Sequence, residues 1–261
     1  MRARTTDPMK TMKTMKTSLL LLAALALPLF SACEGSAAGA GSEERGYATG
    51  QVVDTRGNPI AGAKILLDNT VFYASYINGS TGGDGTYRIR VQPGAWRAHA
   101  TFRKSYNGRT YHLELYPDSV DSFDDTGAVR NFTWKLEGRD PDNEYGYYGG
   151  LVKVFTDFGF YEGMEDIELT LVPDGPLIDG SEGRTLVLRL EDHYWVQRAY
   201  LEDIPIGRYT ITATLRSAEG TRALRIQDWH AKGDFKPGLR FDFIPDSTSS
   251  PGATAAIVIG Y

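Results

Sequence analysis

The side chains of this 261-residue chain that could do chemistry are four histidines, one cysteine, a few clustered rings and many carboxylates. His99, His112, His193 and His230 stand in none of the spacings of a zinc hydrolase. There is no His-Glu-x-x-His, and no His-x-x-Glu with a distant third ligand. A Gly-x-Ser-x-Gly nucleophile elbow and a phosphate-cradling glycine loop are also missing from the sequence. Asp140-Pro-Asp142-Asn-Glu144-Tyr-Gly146 alternates oxygen ligands as a calcium loop does. Yet Tyr145 stands where an EF-hand needs glycine and Leu151 where it needs a bidentate glutamate, so a solvated acidic segment is expected. Carboxylate pairs elsewhere have no spacing that marks glycosidic cleavage. No catalytic residue, metal site or cofactor is expected.

Rings are the better candidates. A flat aromatic side chain can stack on a sugar face at small conformational cost. The candidates are Tyr145, Tyr147 and Tyr148, then Trp195 beside His193 and Tyr194, and Trp229 beside His230. Trp96, Trp134 and at least one of Trp195 and Trp229 are expected in a core. The Tyr145–Tyr148 cluster is the preferred contact, because a polar linker cannot easily bury three tyrosines. Lys64 and Asn131 are the conceivable pair for an isopeptide cross-link, with no motif to support them.

These residues must be delivered to their place of work. Arg2, Arg4, Lys10, Lys13 and Lys16 precede an apolar run, Leu19 to Phe30. At about 1.5 Å per residue that run is too short to cross roughly 30 Å of hydrocarbon, and residues 1–32 read as an export signal. Leu29-Phe30-Ser31-Ala32-Cys33 resembles the lipobox of bacterial lipoproteins, which implies acylation of Cys33 and anchorage of the exported chain to a membrane of the cell envelope. A lone thiol also has no internal disulfide partner. Residues 33–46, rich in Gly, Ala, Ser and Glu, form a flexible tether. Translation can begin at Met1, Met9, Met12 or Met15 without changing the mature chain.

Removing the five bases and one acid of residues 1–32 takes the formal charge from −5 to −9. An acidic exported protein has little reason to bind nucleic acid. Beyond the tether, Ala63–Leu67, Tyr87–Val91, Ile167–Leu171 and Tyr209–Ala213 alternate apolar with polar residues and are separated by Gly, Pro, Asn and Asp turns. No stretch sustains a helical period over three turns. The expected fold class is all-β, with two tandem β-sandwich modules after the signal and tether.

Gly50-Gln-Val-Val-Asp54-Thr-Arg-Gly57-Asn-Pro59-Ile60-Ala-Gly62-Ala63, Thr81-Gly-Gly-Asp84-Gly85-Thr-Tyr87 and Pro93-Gly94-Ala-Trp96 occur in series. With them, residues 47–137 resemble the carboxypeptidase regulatory-like domain, a transthyretin-like β-sandwich. That domain is an accessory in the peptidases that gave it its name, so the resemblance implies a fold and no peptidase activity. The motif residues are expected to serve turns and core. Asn131 to Leu136 reads as the closing strand. Residues 138–147 then form a polar linker and residues 148–261 a second, divergent β-sandwich. In it Gly150 answers Gly50, Ile167–Pro173 the second strand, and Pro205-Ile-Gly207-Arg-Tyr209 answers Gln92 to Trp96. An insertion falls within 173–184, and Ala253–Ile259 forms a buried last strand.

The expected function is a non-catalytic envelope lipoprotein that binds carbohydrate, or else a structural or protein-interaction module. The partners are the membrane through the lipid, and a glycan or envelope protein. Mass spectrometry of the mature N-terminus should find Cys33 as its first residue, heavier by its acyl chains. An unmodified Cys33 would remove the anchor.

Overall fold

A computed structural model describes residues 43–190, 198–246 and 252–261. Cys33, the signal segment, the tether up to residue 42 and Trp195 lie outside them. The described residues are all-β, as expected, with one short 3-10 turn at Met164–Asp166. Among them no helix is long and apolar enough to cross a membrane.

The first half contributes β1 (Tyr47–Val53), β2 (Lys64–Asn69), β3 (Tyr76–Ser80), β4 (Thr86–Arg90) and β5 (Trp96–Tyr106). It continues with β6 (Arg109–Glu114), β7 (Tyr116–Pro117), β8 (Ala128–Val129) and β9 (Phe132–Thr133). One sheet runs β4-β1-β9-β7, with β8 also on β1; the other runs β3-β2-β5-β6. Alternation decides which face is buried. Ile65 and Leu67 of β2 and Trp96, Ala98, Ala100 and Phe102 of β5 turn inward to meet Val52, Tyr87, Ile89, Phe132 and Trp134. Lys64, His99 and Arg103 share the outer face.

The signature residues hold this sandwich closed. Asp54 accepts hydrogen bonds from the backbone N–H groups of Arg56 (2.8 Å) and Asn58 (2.9 Å), making the turn in which Gly57 takes φ +82°. Val52 N donates to Gly85 O at 2.9 Å. A Cβ on Gly85 would lie 2.7 Å from Val52 O and 2.8 Å from Pro59 Cβ, so the first two motifs clamp each other.

The second half contributes β10 (Gly150–Thr156), β11 (Ile167–Pro173), β12 (Leu186–Arg189), β13 (Arg198–Ile204) and β14 (Arg208–Ser217). Then come β15 (Gly220–Asp228), β16 (Lys232–Lys236), β17 (Leu239–Asp242), β18 (Ile244–Pro245) and β19 (Ala253–Gly260). They form one ladder, β12-β11-β14-β15-β19-β10-β13, with β17 on β14, β16 on β15 and β18 on β19. Strand β15 turns the corner: Gly220–Leu224 pairs with β14 and Arg225–Asp228 with β19.

Strand pairing repeats between the halves. β1 is antiparallel to β4 and parallel to β9, as β10 is to β13 and β19. β2 lies between β3 and β5, as β11 lies between β12 and β14. Even a side-chain corner recurs. Trp96 Nε1 donates to Gln92 O and Tyr209 Oη to Pro205 O, four residues back and 2.8 Å in each case. Strand β19 is buried along its whole length.

A polar seam joins the halves. The β11–β12 connection, residues 174–185, is longer than its counterpart at 70–75 and reaches the first half. Asp179 accepts from Thr55 Oγ1 (2.7 Å), and its carbonyl from Arg56 Nη2 (2.5 Å). Tyr106 Oη donates to Pro176 O (2.7 Å) and accepts from Arg208 N (3.1 Å); Tyr111 Oη donates to Phe243 O (2.8 Å). Burial pushes the Tyr111 phenol up to about 12. Asp242 receives Arg208 in a fork at 2.9 and 2.8 Å, and Asn107 Nδ2 at 2.8 Å.

Burial pulls the Asp179 and Asp242 carboxyls upward, but hydrogen bonds and neighbouring arginines outweigh it and hold both below the ordinary carboxylate value. A depressed folded-state pKa adds stability above the unfolded value, and that stability is lost as pH falls through the folded one. The urea midpoint should therefore stay level above about pH 5 and fall below about pH 4. Asp242→Asn should cost about 1–3 kcal/mol at neutral pH and flatten part of that acid limb. An unchanged limb in the variant would contradict this account of the seam.

Candidate functional site

The expected polar linker is a closed hairpin. Asp140 Oδ1 accepts from Asp142 N (2.9 Å) and Asn143 Oδ1 from Tyr145 N (3.1 Å), two side-chain-capped turns at its tip. Behind the tip, Asp140 N donates to Gly146 O and Tyr148 N to Gly138 O, each at 3.0 Å, and Arg139 bridges Tyr147. One carboxylate holds the base. Asp203 accepts from Gly138 N at 2.7–2.8 Å and from Gly149 N at 3.1 Å. It does so from a left-handed backbone, φ +58°, beside the register slip of β13 on β10.

The hairpin divides the expected tyrosine cluster between two clefts. On one side Tyr145, 81% exposed, and the half-buried Tyr147 line a cleft of about 160 Å³ with Tyr200, Glu202 and Asp203. A hydrogen bond with the Glu202 carboxylate raises the Tyr147 phenol, and the Arg139 guanidinium lies 5.0 Å from its ring centroid. On the other side Tyr148 is buried, edge-on to Tyr116 at 5.9 Å. Burial pushes its hydroxyl far above the usual tyrosine range. The expectation of three exposed rings is thus corrected: closure of the hairpin turns Tyr148 inward.

Tyr148 lines a second cleft of about 460 Å³ with Tyr76, His99, Glu114, Asp140 and Asp142. Asp142 pairs with Arg97 (2.9 Å) and approaches His99 Nδ1 (3.4 Å). Crowding by the surrounding protein, then Asp140, raises the Glu114 carboxyl, although its side chain still reaches solvent. Among the described residues no group of three His, Cys, Asp or Glu side chains could hold a metal ion. The Asp142 of the calcium-like spacing is engaged by Arg97 instead.

The other sequence candidates lie apart. Trp195 is outside the described residues. Trp229, 39% exposed, stacks on Phe155 at 4.3 Å, and Lys232 Nζ lies 3.9 Å from its ring centroid, so its ring is already engaged. Trp96 and Trp134 are core residues. Lys64 opens β2, whereas Asn131 precedes β9 of the other sheet and bonds to Gln51 N and Asp118, so the two are not brought together. Sequence reasoning missed Tyr200 and Glu202. Their alternation about Leu201 on one strand was the available signal.

No protein-family model matches the chain, and no curated protein matches it. Among solved structures it is similar to the Bacillus anthracis TIE protein, with 14% identity and a TM-score of 0.30 over 81% of this chain and 33% of that one. The chain therefore spans about a third of that protein. It is also similar to the Streptococcal ancillary pilin, with 12% identity and a TM-score of 0.27 over 83% and 69% of the two chains. A single B repeat unit of the collagen-binding surface protein of Staphylococcus aureus gives 10% identity and a TM-score of 0.23 over 82% and 98%. Superpositions this loose leave the functional reading to the chain's own geometry.

Asp203→Ala should free both ends of the hairpin. Hydrogen exchange at the Gly138 and Gly149 amides should accelerate, with a global loss of about 1–3 kcal/mol. Unchanged protection at both amides would mean that something else holds the hairpin.

Proposed function

We propose that this chain is a non-catalytic binding module of the bacterial cell envelope, anchored by lipid on Cys33, which takes a carbohydrate against the 138–148 hairpin. The carrying observation is the cleft in which Tyr145, Tyr147 and Tyr200 meet Glu202. Rings offer apolar faces for the C–H side of a sugar, and a carboxylate offers acceptors for its hydroxyls. At about 160 Å³ the cleft suits one sugar unit, with further units lying over the exposed Tyr145. Asp203 holds the hairpin before any ligand arrives, which lowers the ordering cost of binding. Within this reading the first half is a carboxypeptidase regulatory-like domain serving as scaffold.

A second reading, protein docking, rests on another observation. Val71, Phe72 and Tyr73, at 68, 65 and 100% exposed, cap the β2–β3 turn. Beside them β3 pairs with β2 alone among the described residues, leaving an open edge that an extended segment could join.

A glycan array probed with the full chain should show binding, and calorimetry on the best neutral oligosaccharide should give a weak affinity. Tyr145→Ala and Tyr147→Ala should each weaken it roughly 2- to 10-fold with the fold intact. If no glycan is retained, or both variants bind as well as the parent, the weight moves to docking through the Val71–Tyr73 tip.

A further inference from the structure

We propose that a third cleft, where the Asp54–Gly62 turn and Asp179 of the 174–185 connection meet the start of β2 and the middle of β5 and β6, binds an oxyanion-bearing saccharide, sulfated or phosphorylated. The cleft measures about 760 Å³, within the range of clefts that hold small ligands. Four permanent cations line it: Arg56, Lys64, Arg103 and Lys104, with His112 beside them.

Strand register gathers Lys64, Arg103 and His112 on one outer face, while Lys104 reaches the cleft from the opposite face of β5. Arg103 lies directly across from His112, and Lys64 across from Thr101, two residues before Arg103 on the same face. Lys64 and Arg103 are therefore diagonal neighbours, a spacing of about 7–8 Å. Arg56 is brought in by its bond to the Asp179 carbonyl, and Lys104 Nζ hangs 5.5 Å from the Trp134 ring. Among the described residues none of the four forms a carboxylate ion pair. Elsewhere Arg88, Arg97, Arg184, Arg208, Arg216 and Arg222 all do.

The two carboxylates in the cleft wall are engaged by their own turns. Asp54 accepts from Arg56 N, Asn58 N and the Asn58 amide; Asp179 accepts from Thr55, Ser181 N and Ser181 Oγ. Lys64, Arg103 and Lys104 thus meet in one concave wall with Arg56, where like charges repel unless an anion joins them. A sulfate or phosphate group supplies the bidentate oxygens that arginine matches and the charge that lysine meets.

The lining favours a saccharide over two other polyanions. Its aromatic residues, Phe102 and Trp134, are buried in the core, so no ring is presented for the stacked bases of single-stranded nucleic acid. Lys64 begins β2, whereas the apolar Val71–Tyr73 tip follows its far end, so cations and tip do not face one flat membrane together.

The test uses calorimetry on the full chain with dextran sulfate, neutral dextran and oligothymidylate. Dextran sulfate should bind and weaken with added salt, while the other two bind at least tenfold more weakly. Lys64→Ala together with Arg103→Ala should weaken dextran sulfate binding roughly 5- to 20-fold. Lys64→Arg with Arg103→Lys should retain most of it, and Lys236→Ala, remote and exposed, should retain all of it, each at an unchanged thermal midpoint. Tyr145→Ala should leave dextran sulfate binding intact, which separates this site from the hairpin cleft. No binding, full binding by the double alanine variant, or equal binding of oligothymidylate would overturn the proposal.

Discussion

One carboxylate closes the loop on which the proposed sugar contact depends. Asp203 takes the amides of Gly138 and Gly149, the two ends of the hairpin, from a backbone conformation that a non-glycine residue adopts only at a cost. Room is as important as charge. A Cβ on Gly149 would lie 2.5 Å from the Asp203 carbonyl carbon, so only glycine lets the two segments approach. Because β13 slips register beside Gly150, Asp203 leaves its place in the ladder and turns toward the hairpin base. The chain between the two halves, which would otherwise sample many conformations, becomes a fixed rim with tyrosines on both sides.

The same economy shapes the contact between the halves. Each half repeats one strand plan, and a repeat alone gives two beads on a string. Here the longer connection between β11 and β12 and the β17–β18 bend reach across with hydrogen bonds: Thr55 and Arg56 to Asp179, Tyr106 to Pro176, Tyr111 to Phe243, Asn107 to Asp242. Hydrogen bonds of this kind contribute about 1 kcal/mol each, so several are needed to fix an orientation. They give direction that apolar contact does not. The price is sensitivity to protonation, since Asp179 and Asp242 act as acceptors in their ionised form.

Much of this was legible in the sequence, and the reason is locality. Alternation over four to eight residues placed Val52, Tyr87, Ile89, Trp96 and Phe132 inward, and Gly57, Gly85 and Gly94 sit in turns at positive φ. The correspondence of Tyr209 with Trp96 also lay in a short window, and both rings fold back on a carbonyl four residues earlier. The hairpin was read as a linker because its anchor is remote in sequence: nothing near Gly138 announces Asp203. Tyr148 was misjudged for the same reason, as its burial depends on Tyr116 across the fold. Trp229 looked available until Phe155 and Lys232 came to it from other strands.

The cationic cleft was invisible for a different reason. Lys64, Arg103, Lys104 and Arg56 are scattered among acids along an acidic chain, and only strand register together with the Arg56 bond to the Asp179 carbonyl sums their charge in one place. The same sheet face carries both signs, ordered along its strands. Toward the hairpin, Asp68 lies across from Arg97, and Asp142 caps Arg97 and His99, so charge there is largely neutralised. Toward the Asp54 turn, no carboxylate pairs with Lys64 or Arg103 among the described residues. An anionic chain approaching this face would meet little net charge where Asp142 offsets Arg97 and attraction at the other end. At a Debye length of roughly 8 Å in physiological salt the two ends are felt separately.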